Sequence, residues 1–324
     1  MEKKQKFIIS GTNDTLWNQF ELIDYLIKNQ NKCITLQINP EAIDLNNLGI
    51  YQLLDSFNFQ QVDIHTENQL EFHDNYNIII TCNNKWLAHT LTIQPDLHTW
   101  TGNKKFLVFY HRPTANRLGL ASYLFTHYKD QSSIHFSSGT DVDSLALYEF
   151  DKLASYRLES IDEVANMLPH VPLYCYQNHE ILNHWARAVS WHDDDAYDPG
   201  FVLYQDIFVD IISEPHVLGN TFYPTEKTAR PIWLKKPFVV FGSRDYLDYL
   251  HQMGFKTFCE FWDETYDGFE GRDRFVKILT LIDWLAQKSV TELQKMYSNM
   301  QPILEHNYNL LQTQSYNKTI TKIT

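Results

Sequence analysis

Two stretches of this chain put cations where helix physics does not favour them. In "FYPTEKTARPIWLKKPFVVFG", residues 222–242, a loop ending at Pro224 runs into Thr225, Glu226 and Lys227, and an apolar-periodic segment follows. Thr225 reads as an N-cap and Glu226 as a first-turn acid, both favourable at the positive end of a helix. Lys227 is not, because a cation in the first turn costs about 0.3–1 kcal/mol. Either the lysine is tolerated there, or free backbone N–H groups beside it make an anion site suited to a diphosphate. Glu226 and Arg230, spaced i,i+4, could pair on the surface. Ala229, Ile232 and Trp233 form the inward stripe, and Pro231 predicts a kink or a short helix. "YHRPTANRLGLASYL", residues 110–124, repeats the arrangement: Arg112 and Arg117 follow a strand and flank the start of a helix. Solvated loop arginines would explain either one alone. Two such cases at strand ends reinforce the anion reading.

Other reactive patterns are thinner. Asp193-x-Asp195 in "WHDDDAYD", residues 191–198, has a spacing at which carboxylates could coordinate Mg²⁺ or Mn²⁺. Such pairs are also common in acidic loops, and no apolar strand leads into this one. The 14 histidines form no HxxxH or HExxH, so no metal site follows from them. GxGxxG, GxxxxGK[ST] and GxSxG are missing, which removes the usual signatures of dinucleotide oxidoreductases, P-loop NTPases and α/β-hydrolases.

The elements that must carry these residues alternate from the start. Strand-like runs at 6–10, 33–38, 61–66 and 77–82 are interleaved with helical patterns at 14–29 and 48–57, as in a parallel sheet covered by helices. A boundary follows at 99–105. The pattern restarts with a strand at 106–111, a helix at 116–128 and a strand at 133–138. Residues 140–200 are less regular. Strands at 206–213 and 237–242 then flank the 222–236 segment, and helices are expected at 244–255, 271–289 and 291–313, the last interrupted at Pro302. "DETYDG" and "FEGR", residues 263–272, read as a solvated acidic loop. The expectation is an α/β protein with two Rossmann-like parallel-sheet domains facing across a cleft. Their bounds are 1–100 and 101–290, with a C-terminal helical segment and tail at 291–324. Open parallel sheets bind ligands beyond the carboxyl ends of their strands, which singles out the residues after Ser10, His111, Ser213 and Gly242.

Composition narrows the partners. With 324 residues, 44% hydrophobic and 15% aromatic, the chain can build one large or two medium cores and is not disordered. A formal net charge of −13 repels phosphate backbones, so nucleic acid is not the expected partner, although a local basic cleft remains open. Residues 7–9 are too short an apolar run for a signal peptide and read as a first strand. No run approaches the ~18 residues of a membrane span. Four scattered cysteines without CxxC spacing suit a reduced, cytoplasmic protein. Oligomeric state is open.

The quoted segments resemble the donor-binding region of fucosyltransferase-like glycosyltransferases, roughly Tyr-x-Thr-Glu-Lys, a helix, then a Pro-Val-Val-x-Gly strand. Tyr223, Thr225, Glu226, Lys227, Pro237, Val239, Val240 and Gly242 carry the match. "FLVFYHRPTANRLGLASYL" is similar to the family's entry to its nucleotide-binding domain, with Arg117 in the place of a diphosphate-contacting arginine. "FVDIISE" stands where the family has a strand ending in Phe-Glu-Asn. Here Glu214 is followed by Pro215, which departs from the pattern. "MGFKTF" (253–258) and "DETYD" (263–267) are also similar to stretches of viral and bacterial proteins. The resemblance spans about residues 105–290. It implies a GT-B fold whose C-terminal domain holds a nucleotide-sugar donor and whose last helices fold back. Lys227 and Arg117 would neutralise the diphosphate, Glu226 would hold the ribose hydroxyls and Tyr223 would line the nucleotide. The Asp193–Asp195 pair resembles the carboxylates of metal-dependent glycosyltransferases.

The activity so implied is sugar transfer from a nucleotide diphosphate to an acceptor hydroxyl, with inversion and with no cofactor required. Fixed cations and a helix N-terminus would stabilise the leaving group. A general base is needed across the cleft, and Asp14, in the loop after the first strand, is a candidate that also reads as an N-cap. The alternatives are a catalytically inactive nucleotide-sugar-binding or assembly protein of the same fold, and a viral DNA-base glycosyltransferase, which the negative charge speaks against.

Overall fold

The computed structural model describes residues 5–10, 16, 18–38, 43–75, 77–82, 100–110, 113–136, 147–171 and 200–316. Its first sheet contains β1 (Gln5–Ile9), β2 (Cys33–Ile38), β3 (Gln61–Thr66) and β4 (Ile78–Cys82), all parallel and in that order. Two helices cross between the strands, α1 (Gln19–Lys28) and α2 (Ile50–Asp55). Right-handed crossovers that always step the same way leave their helices on one face of the sheet. Burial follows that rule. Ile34, Leu36, Val62 and Ile64 pack with Leu22 and Leu26 of α1 and Tyr51 and Leu54 of α2. Thr35, Gln37, Asp63 and His65, on the other face, are only half-buried.

The second sheet is built differently. It comprises β5 (Lys104–Tyr110), β6 (Ser132–Phe136), β7 (Ile207–Ser213) and β8 (Phe238–Phe241), parallel and in the order β6-β5-β7-β8. The chain steps one way from β5 to β6 and returns on the other side of β5, so helices cover both faces. Accordingly β7 and β8 are buried along their whole length, the continuous apolar pattern of a doubly covered parallel strand. The helices are α3 (Ala115–Tyr128), α4 (Leu147–Tyr156), α5 (Ser160–Met167), α6 (Gly200–Gln205), α7 (Glu226–Trp233), α8 (Tyr246–Gln252), α9 (Gly271–Ala286) and α10 (Val290–Tyr316). Helices α4 and α5 fall inside the stretch that sequence patterning left irregular. Among the described residues no helix is long and apolar enough to cross a membrane.

Three local expectations change. Helix α10 is not interrupted at Pro302, which lies inside it. A mid-helix proline costs about 3 kcal/mol. The buried stripe of Leu293, Tyr297, Met300, Leu304, Tyr308 and Leu311, at roughly 1.5–3 kcal/mol per side chain, outweighs it. The acidic segment 263–272 is not simply solvated, since Tyr266 and Asp267 are buried. The cause is Arg274, 0% exposed, whose Nη2 donates to Asp267 Oδ1 at 2.7 Å and whose Nη1 donates to Ser243 O at 2.9 Å. A guanidinium that far from water needs a carboxylate beside it. Asp267 Oδ2 also accepts from Leu247 N at 2.9 Å, capping α8. Third, Arg230 is not on the surface with Glu226 but buried, its guanidinium 5.0 Å from the centre of the Phe109 ring.

Glu264, just before this turn, accepts from Phe258 N at 2.9 Å and from Thr257 Oγ1 at 2.6 Å, and that hydroxyl lies 2.8 Å from His251 Nε2. Burial pushes its carboxyl up to about 7, against those bonds and with Asp267 adding to the rise. A carboxyl raised on folding stabilises fully below its unfolded pKa, and that contribution is lost as pH climbs to the folded value. Glu264→Gln keeps an acceptor for Phe258 N, and its amide can donate to Thr257, as the protonated acid would. The variant should lose less stability than the parent between pH 5 and 8 and exceed it at pH 8 by on the order of 1 kcal/mol. Urea unfolding at the two pH values measures this, and an identical pH slope in both proteins would refute it.

Candidate functional site

Of the two sheets, the second has a topological switch point, between β5 and β7, where strand order reverses. In open parallel sheets the carboxyl ends of the strands at such a point are where ligands bind. Residues at the start of α3 are tied there to the end of β7. Thr114 Oγ1 donates to Asn116 Oδ1 at 2.7 Å, and Asn116 Nδ2 donates to Ser213 Oγ at 2.5 Å. Arg117 donates through Nε (3.3 Å) and Nη2 (3.1 Å) to Ser213 O, the last carbonyl of β7. It is only 4% exposed and its guanidinium lies 5.8 Å from the centre of the Tyr110 ring. Arg117 therefore brings its charge to the switch point from inside the protein. No acidic residue occupies the first turn of α3.

The next residue, Glu214, is 1% exposed and joins this edge to α7. Oε1 accepts from Thr225 N at 3.1 Å, Thr228 Oγ1 at 2.5 Å and Tyr246 OH at 3.0 Å. Oε2 accepts from Thr225 Oγ1 at 2.5 Å. The carboxylate thus ties the end of β7 to the N-cap and first turn of α7 and to α8. Gly242 belongs to the same assembly: a Cβ there would lie 2.7 Å from Cδ2 of the Tyr246 ring, so only glycine lets that ring sit over the end of β8. Tyr223 is half-buried, with its ring centre 6.3 Å from that of His216.

Thr225 caps α7 as its sequence context suggests, its hydroxyl accepting from Lys227 N at 3.2 Å. Lys227 Nζ donates to Glu226 Oε1 at 2.7 Å and to Thr225 Oγ1 at 3.1 Å. Glu226 thus offsets the lysine that helix physics disfavours. An ammonium has three protons, and these two bonds leave one for a ligand. Burial alone would raise the Glu226 carboxyl, but the charge and hydrogen bond of Lys227, with Arg230 behind, outweigh it and hold it at about 2. Glu226 is therefore an ionised acceptor at any ordinary pH. Helix α7 is eight residues long with Pro231 inside it, the short helix that proline implied.

Beneath this edge, Asp210 sits in the middle of β7, 3% exposed. Burial pushes its carboxyl up to about 7 although the Tyr204 hydroxyl donates to it and Arg230 lies near. Sequence reading did not single out Asp210, Thr228 or Tyr246. An aspartate inside the apolar run "IFVDIIS" was the available signal, because such a residue needs partners. Asp14, Arg112, Asp193 and Asp195 lie outside the described residues. Among the described residues no group of histidine, cysteine and carboxylate side chains is arranged to hold a metal ion. An open groove of mixed charge along α1, lined by Phe7, Glu21, Tyr25 and Lys32 among others, contains none of the site residues.

No protein-family model matches the chain, and no curated protein matches it. Glu214→Gln leaves an amide group facing donors, and it should destabilise the protein by about 1–3 kcal/mol. Urea unfolding tests this, and a parent-like midpoint would mean that the four bonds do not hold the edge together.

Proposed function

We propose that this edge binds the diphosphate of a nucleotide sugar, and that the protein is a glycosyltransferase moving the sugar to an acceptor hydroxyl. The observation that carries this reading is Lys227. It is held in the first turn of α7 with a proton to spare and is linked through Thr225 and Glu214 to the switch point of the second sheet. A leaving diphosphate gains negative charge as the glycosidic bond breaks, and donors fixed beforehand stabilise that charge without reorganising. Lys227 and the first-turn N–H groups of α7 supply such donors, and Arg117 adds its charge from behind Ser213. Glu226, ionised and half-exposed, suits ribose hydroxyls, and Tyr223 suits the nucleoside. The resemblance to fucosyltransferase-like enzymes, a GT-B arrangement and inversion with Asp14 as base belong to this same proposal.

A second reading has one observation in its favour. The Lys227–Glu226 pair is already neutral overall, which suits a protein that binds a nucleotide sugar without turning it over. Lys227→Ala should weaken UDP or GDP binding by about 10- to 100-fold, the size expected when a charged hydrogen bond to phosphate is removed. The fold should persist, because the side-chain bonds of Lys227 go only to the neighbouring Thr225 and Glu226. Calorimetric titration of both proteins checks the prediction, and equal affinities would sink the proposed site. Binding of sugar nucleotides with no release of sugar would favour the second reading.

A further inference from the structure

The loop that follows β7 carries Tyr223 and the cap of α7, and residues of the first sheet hold it in place. Asn68, 0% exposed just beyond β3, divides its amide between this loop and its own segment. Its Nδ2 donates to Asn220 O at 3.1 Å and to Glu71 Oε1 at 3.1 Å. Its Oδ1 accepts from Phe222 N at 3.0 Å and from Leu70 N at 3.2 Å. Two further bonds flank it: Asn220 N donates to Asp44 Oδ2 at 3.0 Å, and Gln69 N donates to Phe222 O at 3.1 Å. Asp44 lies beyond the end of β2, so loops from the carboxyl ends of both sheets meet at residues 220–222. Glu71 fixes the Asn68 amide in turn, since it also accepts from Leu45 N at 2.9 Å and Tyr51 OH at 2.5 Å. On the opposite side the Ser243 hydroxyl donates to Thr221 O.

A saturated buried amide that bridges the loops of two sheets costs conformational freedom, and within residues 220–225 it holds the Asn220–Phe222 backbone at two points. We infer that Asn68 is a positioning residue of the second sheet's site: it sets the path of residues 220–222, and through them the placement of Tyr223, Thr225 and Lys227. This rests on the proposed nucleotide site, but its structural half is measurable without a nucleotide. The arrangement also lets the first sheet influence affinity at a site that its own residues do not touch.

The experiment uses the full-length protein and the variants Asn68→Asp, which keeps the shape but loses two donors, and Asp44→Ala, which cuts the loop from the other anchor. Amide hydrogen exchange should rise at Phe222 and in the first turn of α7 in both variants, with the strands of both sheets unchanged. UDP or GDP affinity should fall roughly tenfold, as expected when one or two buried hydrogen bonds no longer hold the loop. Parent-like exchange at Phe222 and Lys227 in both variants would overturn the inference, as would a loosened loop with unchanged nucleotide affinity. If the parent binds neither nucleotide, the proposed function of the site fails. Exchange then decides on its own whether Asn68 positions the loop. Should Asn68→Asp fail to fold, Asp44→Ala gives the same readouts.

Discussion

A carboxylate taken out of water must be met by donors, and Glu214 is such a carboxylate. Its four hydrogen bonds come from Thr225, Thr228 and Tyr246. Those donors lie on two different helices, so satisfying one side chain fixes the end of β7, the start of α7 and the start of α8 together. The Thr225 hydroxyl extends the chain to the Lys227 ammonium. Gly242 is part of the same requirement, because a larger residue would push the Tyr246 ring away from the carboxylate. Losing one donor would leave the charge under-solvated rather than merely loosen a loop. The base of the candidate site is thereby tied together, while Glu226 is about one-third exposed and Lys227 13% exposed.

Strand order explains why this happens on one sheet and not the other. The sequential order of the first sheet leaves one face without helices from its own crossovers and provides no switch point. Reversal beside β5 gives the second sheet both a doubly covered core and a topological switch point. The first sheet contributes differently, through the Asp44 and Asn68 turns at its carboxyl edge, which grip the loop that carries half of the site.

Buried charge recurs around the second sheet and is met in two ways: Glu214, Arg117 and Lys236 by neutral donors or carbonyls, others by an opposite charge. Arg274 is matched by Asp267, Lys227 by Glu226, and Arg230 lies near both Asp210 and Glu226. Such pairs add little net stability over apolar replacements, but breaking one is costly. Their consequence here is orientation: Arg274, bonded to Asp267 and to Ser243 O, ties the start of α9 to the chain after β8.

Much of this was written in the local pattern of residues. The strands, the doubled parallel sheet, the short proline-limited α7 and its threonine cap all follow from periodicity and capping chemistry, which act over a few residues. Residues 222–242 also stood out in the sequence, because a lysine in a first turn conflicts with the helix dipole. Long-range packing decided the rest. That Arg117 and Arg230 are buried and that Pro302 does not break α10 depend on neighbours far away in the chain. So do the roles of Glu214, Tyr246 and Asn68, whose hydrogen-bond partners lie up to 154 residues away. Local pattern determined which elements form and where a charge is out of place; only the packed structure determined which groups satisfy that charge, because burial and hydrogen-bond saturation are properties of the whole arrangement.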